Sequence, residues 1–484
     1  MFESLTQKLA AQSDLPAFLR SQLIGENVNI EGPFGPKKLV YADYVASGRA
    51  LCVIEDFVAE EVLPFYANSH TRASYCGEKM TAMREAGRAV IAKTIGAGPN
   101  HSVIFTGAGA TAAVNRLVKL VGLEEAVQAG EKPIVFLGPY EHHSNILPWV
   151  ETGAKIIYVP EAADGGLDLD FLAEQLDLYA DRSLRIGSFS AASNVTGITT
   201  DIVETTRLLK SKGALSFWDF AGGAPYLPVH LVPEAGLEID ALFLSAHKFA
   251  GGPAASGILA MKNDIVRRNV PSWPGGGTVT YVSEWDRDYV ESIEEREEAG
   301  TPNIVGDIRA ALCFLVKEAV GADFMAKRQA ELVQMAMTRW QANPNIHLLG
   351  NLEAHRIPIF SFIVTDDKGM PVPHNFFTRA LSDLYGIQAR GGCACAGPYG
   401  HHLLNIDQHQ SERVRNQIKQ GDVLAKPGWV RLNFSYLFDD QKSQFIIDKV
   451  DELANSAGTY LDQYKLDPKS GIFCHQADQL KAVG

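Results

Sequence analysis

Apolar and polar positions fall into two kinds of block along this chain. Apolar runs at residues 102–106, 133–137, 155–160, 184–190, 215–219 and 239–244 are too short for helices and read as buried strands. Between them, apolar residues recur every three to four positions at 80–95, 112–121, 167–179 and 202–212, the spacing of helices that bury one face. Strands alternating with helices predict a mostly parallel sheet, and polar residues gather where these strands end. Before this region, 5–23 and 53–66 have helical spacing, 38–44 reads as a strand and 68–74 as a polar loop. Beyond it, 304–320, 324–340, 375–384 and 445–460 are predicted helices. Residues 355–364 and 387–390 read as strands, and 275–279 and 296–303 as loops. The prediction is an α/β protein with a large domain at 37–311 and a smaller α+β domain at 312–484. Residues 1–36 are expected to pack on the smaller one.

Composition narrows the class. A chain of 484 residues exceeds one ordinary core, which favours two domains. Apolar content of 46% with 21% charged residues suits a packed enzyme. A net charge of −13 argues against a nucleic-acid partner. No run of about twenty apolar residues is present, so no membrane span is expected. Residues 1–8 bring early charge and no apolar signal core, which predicts a cytoplasmic protein. The six cysteines are then expected as free thiols. No cysteine pattern suggests a metal site, and none is expected.

Candidate chemistry lies at the strand ends. The 239–244 run stops at Ser245-Ala-His-Lys-Phe-Ala-Gly-Gly252, and a second apolar run, 256–261, follows. A lysine on a tight turn between buried strands is either a surface turn residue or an amine whose pKa burial lowers. A neutral amine can attack a carbonyl, as a Schiff base to pyridoxal phosphate requires. Ser245 and His247 stand beside Lys248 and could donate to a phosphate. Gly107-Ala-Gly-Ala-Thr111 opens a predicted helix, either a plain turn or a phosphate seat of free N–H groups. The 133–137 strand leads to Glu141-His-His-Ser-Asn-Ile-Leu-Pro-Trp149, two successive histidines at a strand end. Asp219 ends its strand either as a turn former or as an acid that keeps a pyridine nitrogen protonated.

In this order, the pieces resemble the class V aminotransferase-like group of fold-type I pyridoxal phosphate enzymes. The cysteine desulfurase/selenocysteine lyase branch is the most similar, from about Tyr41 to Asp439. The resemblance implies that Lys248 is the Schiff-base lysine and that Ala110, Thr111, Ser245 and His247 form the phosphate cup. It implies that His142 stacks on the cofactor, that Asn194 lies near its phenolic oxygen and that Asp219 pairs with its ring nitrogen. Thr278 would reach the phosphate of the neighbouring subunit in a homodimer. Arg431, and Arg390 with it, would hold the substrate carboxylate. Cys395 would be the nucleophile that takes sulfur from L-cysteine, with alanine as product and an acceptor protein as the next partner.

The chain departs from the family pattern at two places. After Trp218 the family usually reads Asp-Gly-Ala-Gln, and this chain reads Asp219-Phe-Ala-Gly222. The desulfurase loop usually reads Arg-x-Gly-His-His-Cys-Ala, and this chain reads Arg390-Gly-Gly-Cys-Ala-Cys-Ala396. Both histidines are replaced and Cys393 is added, in reach as a possible resolving thiol. Residues 399–427, with His401, His402 and His409, form a longer connection than usual. Three readings stay open on the sequence. One is a cysteine desulfurase-like enzyme. Another is an aminotransferase or β-eliminating C–S lyase whose loop cysteines are not nucleophiles. The third is a silent scaffold, which retention of Lys248 and Asp219 disfavours.

Overall fold

The computed structural model describes residues 1–69, 71–467 and 471–477. The chain forms two compact units. The larger takes residues 1–24, 47–192 and 200–324; the smaller takes 25–46, 193–199 and 325–484. The expected cut near residue 311 is thus replaced by a chain that passes between units several times. Residues 1–24 count with the larger unit, where Leu5 and Leu9 are buried on the first helix.

The larger unit is built on a seven-stranded sheet. In chain order its strands are β1 (His101–Gly107), β2 (Ile134–Leu137), β3 (Lys155–Tyr158), β4 (Arg185–Ser190), β5 (Leu215–Asp219), β6 (Ala241–Ser245) and β7 (Gly257–Lys262). They lie in the order β1-β7-β6-β5-β4-β2-β3. Six strands run in one direction and β7 alone runs against them. The central strands carry apolar residues on both faces because helices cover both, which is why the sequence shows runs rather than alternation. Helix α1 (Tyr75–Thr94) starts at Ser74, whose hydroxyl accepts from Gly77 N at 3.2 Å. Helix α2 (Gly109–Leu120) buries Ala113, Val114, Leu117 and Val118 against Val135, Ile186, Phe217, Phe243 and Leu259. Helix α3 (Ile304–Val320) is buried along most of its length.

Local chemistry explains where helical spacing did not give one helix. The pattern over 5–23 splits into Glu3–Ala10 and Leu15–Ser21. Asp14 accepts from Ala17 N at 2.9 Å and Pro16 sits in the first turn, so a new helix starts there. The pattern over 53–66 becomes Cys52–Phe57, a π-turn at Val58–Val62 and a 3₁₀ turn at Leu63–Phe65. Pro64 lacks the N–H that a regular helix would need.

The smaller unit has an antiparallel sheet of β8 (Ile346–Leu348), β9 (Ile359–Val364), β10 (Arg390–Gly392) and β11 (Trp429–Asn433), ordered β8-β9-β11-β10. Helices α4 (His374–Tyr385) and α5 (Asp440–Leu461) pack on it. Its core is aromatic: Trp340, Phe360, Phe362, Phe376, Phe377 and Phe434 are buried together. The predicted strand at 38–44 survives only as short ladders. Lys37–Lys38 pairs with Asn29–Ile30, and Val40–Tyr41 runs parallel to Ile387–Gln388. Two helices take up much of residues 399–427: Gly397–Leu403, which begins just before them, and Gln408–Lys419, opened by an Asp407/Gln410 capping box.

Candidate active site

In the larger unit, β6 ends at Ser245 and turns through Ala246–Lys248. The turn is closely backed by main chain. Gly48 N donates to His247 O at 2.9 Å, and a Cβ on Gly48 would collide with the carbonyl of Phe249. Ser47 Oγ lies 3.3 Å from His247 Nδ1. Burial, then the charge of Lys248, pushes His247 down to about 4, so its ring is neutral near pH 7.

Beside this turn stands the N-terminus of α2. Gly109 has φ +65, and a side chain there would meet Ser245 Oγ at 2.9 Å. A Cβ on Gly257 would overlap the backbone of Gly109. The corner is therefore closely packed and leaves no space for a side chain at Gly109 or Gly257. Ser245 Oγ accepts from Ala110 N at 2.9 Å, and Thr111 Oγ1 is 2.7 Å from Ser144 Oγ. Ser144 N in turn donates to His142 Nδ1 at 3.1 Å. In a neutral His142 the proton is then carried on Nε2. These contacts bring Ala110, Thr111, Ser245 and His142 into one neighbourhood.

Asp219 ends β5, buried, with Oδ1 accepting from Ala221 N at 2.7 Å. Burial raises its pKa to about 6, while the Ala221 bond and the charge of Lys248 pull the other way. Behind it lies Glu141, which sequence reasoning passed over in favour of the histidines after it. Glu141 accepts from Ser190 N at 2.9 Å, Ser190 Oγ at 2.7 Å and Asn145 Nδ2 at 2.5 Å. Burial raises it to about 7 against those bonds, with the nearby Asp219 carboxylate adding to the rise. Asn145 Oδ1 accepts from Trp149 Nε1 and Ser188 Oγ, so the motif Glu141–Trp149 is cross-braced. Thr278 is buried in the loop before a hairpin, its hydroxyl donating to Gly275 O at 2.8 Å.

The smaller unit gathers Asn194, Arg390, Cys393, Cys395 and Arg431. Cys393 to Ala396 is a tight turn closed by Ala396 N to Cys393 O at 3.2 Å. Its central residues, Ala394 and Cys395, have φ +51 and +54, left-handed values rare for side-chain-bearing residues. Cys395 is exposed and Cys393 half-buried. Asn194 Nδ2 donates to Ala394 O at 2.8 Å and so holds the turn. Arg431 Nη1 donates to Asn194 O at 3.1 Å. Burial pushes the Arg431 guanidinium down, opposed by Asp43. Two buried atoms here, Asn194 Oδ1 and Arg431 Nε, make no hydrogen bond.

Asp43 was missed by the sequence reading. It accepts from Arg431 Nη2 at 2.9 Å and from Arg390 Nε and Nη2 at 3.0 and 2.9 Å. The available signal was an acid within the strand-like stretch 38–44, since buried carboxylates need partners.

The class-V aminotransferase family model matches residues 40–415. A probable cysteine desulfurase from Halalkalibacterium halodurans is 29% identical over 395 residues, 80% of this chain and 92% of that protein. Cysteine desulfurase CsdA from Escherichia coli K12 is 30% identical over 370 residues, 74% of this chain and 85% of its own. Among solved structures, a cysteine desulfurase from Thermococcus onnurineus NA1 superposes with TM-score 0.73 at 24% identity, covering 92% of this chain and 99% of that one. The Escherichia coli CsdA structure gives 0.70 at 22% identity, covering 91% and 98%.

Proposed function

From the premise that this chain belongs to the class-V aminotransferase family, with the fold-type I architecture, we propose that it is a pyridoxal phosphate-dependent cysteine desulfurase. It takes sulfur from L-cysteine, releases alanine and holds the sulfur on Cys395 for an acceptor protein. The observation that carries the reading is the turn at Cys393–Ala396. It presents an exposed Cys395 thiol beside a buried arginine, on a backbone that Asn194 holds in a left-handed conformation.

The cofactor fits the larger unit. With no side chain at Gly109 or Gly257, the first turn of α2 packs against Ser245, which brings main chain and hydroxyls together where a phosphate would be held. Ala110, Thr111, Ser245 and His247 would hold that phosphate, and Lys248 would hold the aldehyde carbon. The bound cofactor supplies an electron sink that labilises bonds at the substrate's α-carbon. Asp219 keeps a proton on the ring nitrogen, and a positive ring nitrogen would favour its carboxylate form over the burial that raises it to about 6. His142 would lie against the ring, oriented through Nδ1 by Ser144 N.

Arg431 holds the substrate carboxylate, and its unpaired, buried Nε is the donor that such a ligand would satisfy. Lys248 Nζ takes the α-proton and returns it. Cys395 Sγ attacks the substrate sulfur. The substrate C–S bond breaks, a bond between sulfurs forms, and alanine leaves with the proton count unchanged. The thiol of L-cysteine thereby becomes a persulfide on Cys395.

We read the enzyme as a cytoplasmic homodimer. Among the described residues, no helix is long and apolar enough to cross a membrane. The hairpin after Thr278 exposes Tyr281, Val282 and Trp285, as a surface covered in an assembly would. Light scattering of the active protein tests the dimer. The test of function is a single turnover with L-cysteine and mass spectrometry of the peptide carrying Cys395. One added sulfur atom is expected, absent in Cys395→Ser. Wild-type alanine release by Cys395→Ser would refute the nucleophile. Pyruvate and ammonia as products would make the enzyme a β-eliminating lyase.

A further inference from the structure

Arg296 in the larger unit is a buried cation with no part in the chemistry above. It lies on the short helix Ile293–Glu297, 8% exposed, and its Nε is buried without a hydrogen bond to any described residue. Buried guanidinium groups are ordinarily paired, because an unpaired charge out of water is costly. Its helix neighbours Glu294 and Glu297 are committed elsewhere. Glu294 accepts from Val103 N on β1 at 3.2 Å, and Glu297 accepts from Ser272 N at 2.9 Å and from Ser272 Oγ. Arg116, on α2, donates to Glu297 O. These bonds pin the helix, and Arg296 lines a cavity of about 540 Å³.

The cavity is otherwise lined by Asn269, Val270 and residues 286–291, which include one strand of the hairpin Val279–Val282 and Arg287–Tyr289. Val290 N donates to Thr278 O at 3.0 Å and ties this wall down. The wall carries Asp286, Asp288 and Glu291, all exposed, with Arg287 exposed among them. None of these carboxylates accepts from Arg296 Nε. The lining thus keeps a buried cation and exposed carboxylates apart across one space. A simple anion there would satisfy Arg296 and meet three carboxylates. A simple cation would leave Arg296 unpaired. A zwitterion answers both signs. We propose that the cavity is a binding site for a small free α-amino acid, with its carboxylate on the Arg296 guanidinium and its ammonium toward Asp286, Asp288 and Glu291.

The test is equilibrium dialysis of radiolabelled L-alanine against the full-length, cofactor-loaded protein, with cofactor absorbance recorded on the same samples. Wild type should bind one L-alanine per chain that leaves the absorbance unchanged, besides any that perturbs it. Arg296→Gln should weaken this silent binding at least about ten-fold and keep the absorbance response. Asp288→Asn combined with Glu291→Gln alters only exposed side chains and should weaken it about three-fold. That double variant decides the question if Arg296→Gln does not fold. Propionate and ethylamine each carry one of the two charges, and each should displace the silent L-alanine at least about ten-fold less well than unlabelled L-alanine does. No silent binding in wild type, or silent binding at wild-type affinity in a folded variant, overturns the site. Propionate competing as well as L-alanine overturns the amino acid as its ligand.

Discussion

Glu298→Gln tests how the larger unit holds β1, the strand that leads into the glycine corner at the start of α2. Glu298 is buried, and its two oxygens serve two arginines and a strand. Oε1 accepts from Phe105 N at 2.7 Å and Arg88 Nη1 at 2.8 Å; Oε2 accepts from Arg88 Nη2 at 2.8 Å and from Arg84 Nη2. Arg84 also donates to Asp307 on α3 at 2.6 Å. Burial alone would raise the pKa of Glu298, but Arg88 and Arg84 outweigh it and hold it below the usual carboxylate range. Replacing the carboxylate with an amide leaves two buried guanidinium groups short of a counter-charge, which costs about 3–5 kcal/mol. A unit of about 300 residues has an unfolding entropy near 0.6 kcal/mol per kelvin, so the midpoint should fall by about 5–8 °C. Thermal unfolding followed by circular dichroism measures it. The sign with pH follows from the lowered pKa. The contribution is present above pH 4.5 and is lost as pH falls through the folded value, so wild type and variant should converge in acid. A fall of less than 2 °C at neutral pH would refute the reasoning.

Three further outcomes are expected. Borohydride reduction followed by peptide mapping should place the cofactor on Lys248, and an adduct formed elsewhere in Lys248→Ala would contradict the assignment. Asp219→Ala should still take up cofactor, seen by absorbance, yet lose most turnover; near-normal turnover would remove Asp219 from the chemistry. Glu141, raised to about 7 by burial, binds more protons folded than unfolded, so its contribution to stability falls as pH rises from 4.5 to 7. Denaturant titrations of Glu141→Gln across that window should show a flatter profile than wild type, and an unchanged slope would count against the buried titration.

The larger unit was legible because its candidate site is assembled from local pieces. Lys248 follows its strand within a few residues, Asp219 ends another, and the glycine corner opens its own helix, so strand-then-turn patterns were enough to find them. The stretch 296–303 defeated the same reasoning. It reads as a polar loop, yet Glu298 is buried because Arg84 and Arg88 lie 214 and 210 positions earlier in the chain. Residues 25–46 and 193–199 likewise join the smaller unit across long intervals, which no composition shift announced.

In the smaller unit the sequence offers Cys395, Arg390, Arg431 and Asn194 as candidates, through the motifs that resemble the family's. Their pairings were decided only in three dimensions. Asp43 meets Arg390 and Arg431 over separations of 347 and 388 residues, and Asn194 meets the cysteine turn over 200. Periodicity along a strand says which face a side chain takes. It does not say which residue stands opposite, because that depends on the register between strands distant in sequence. The opposition of Arg390 and Arg431, and the need for a carboxylate between them, follow from that register.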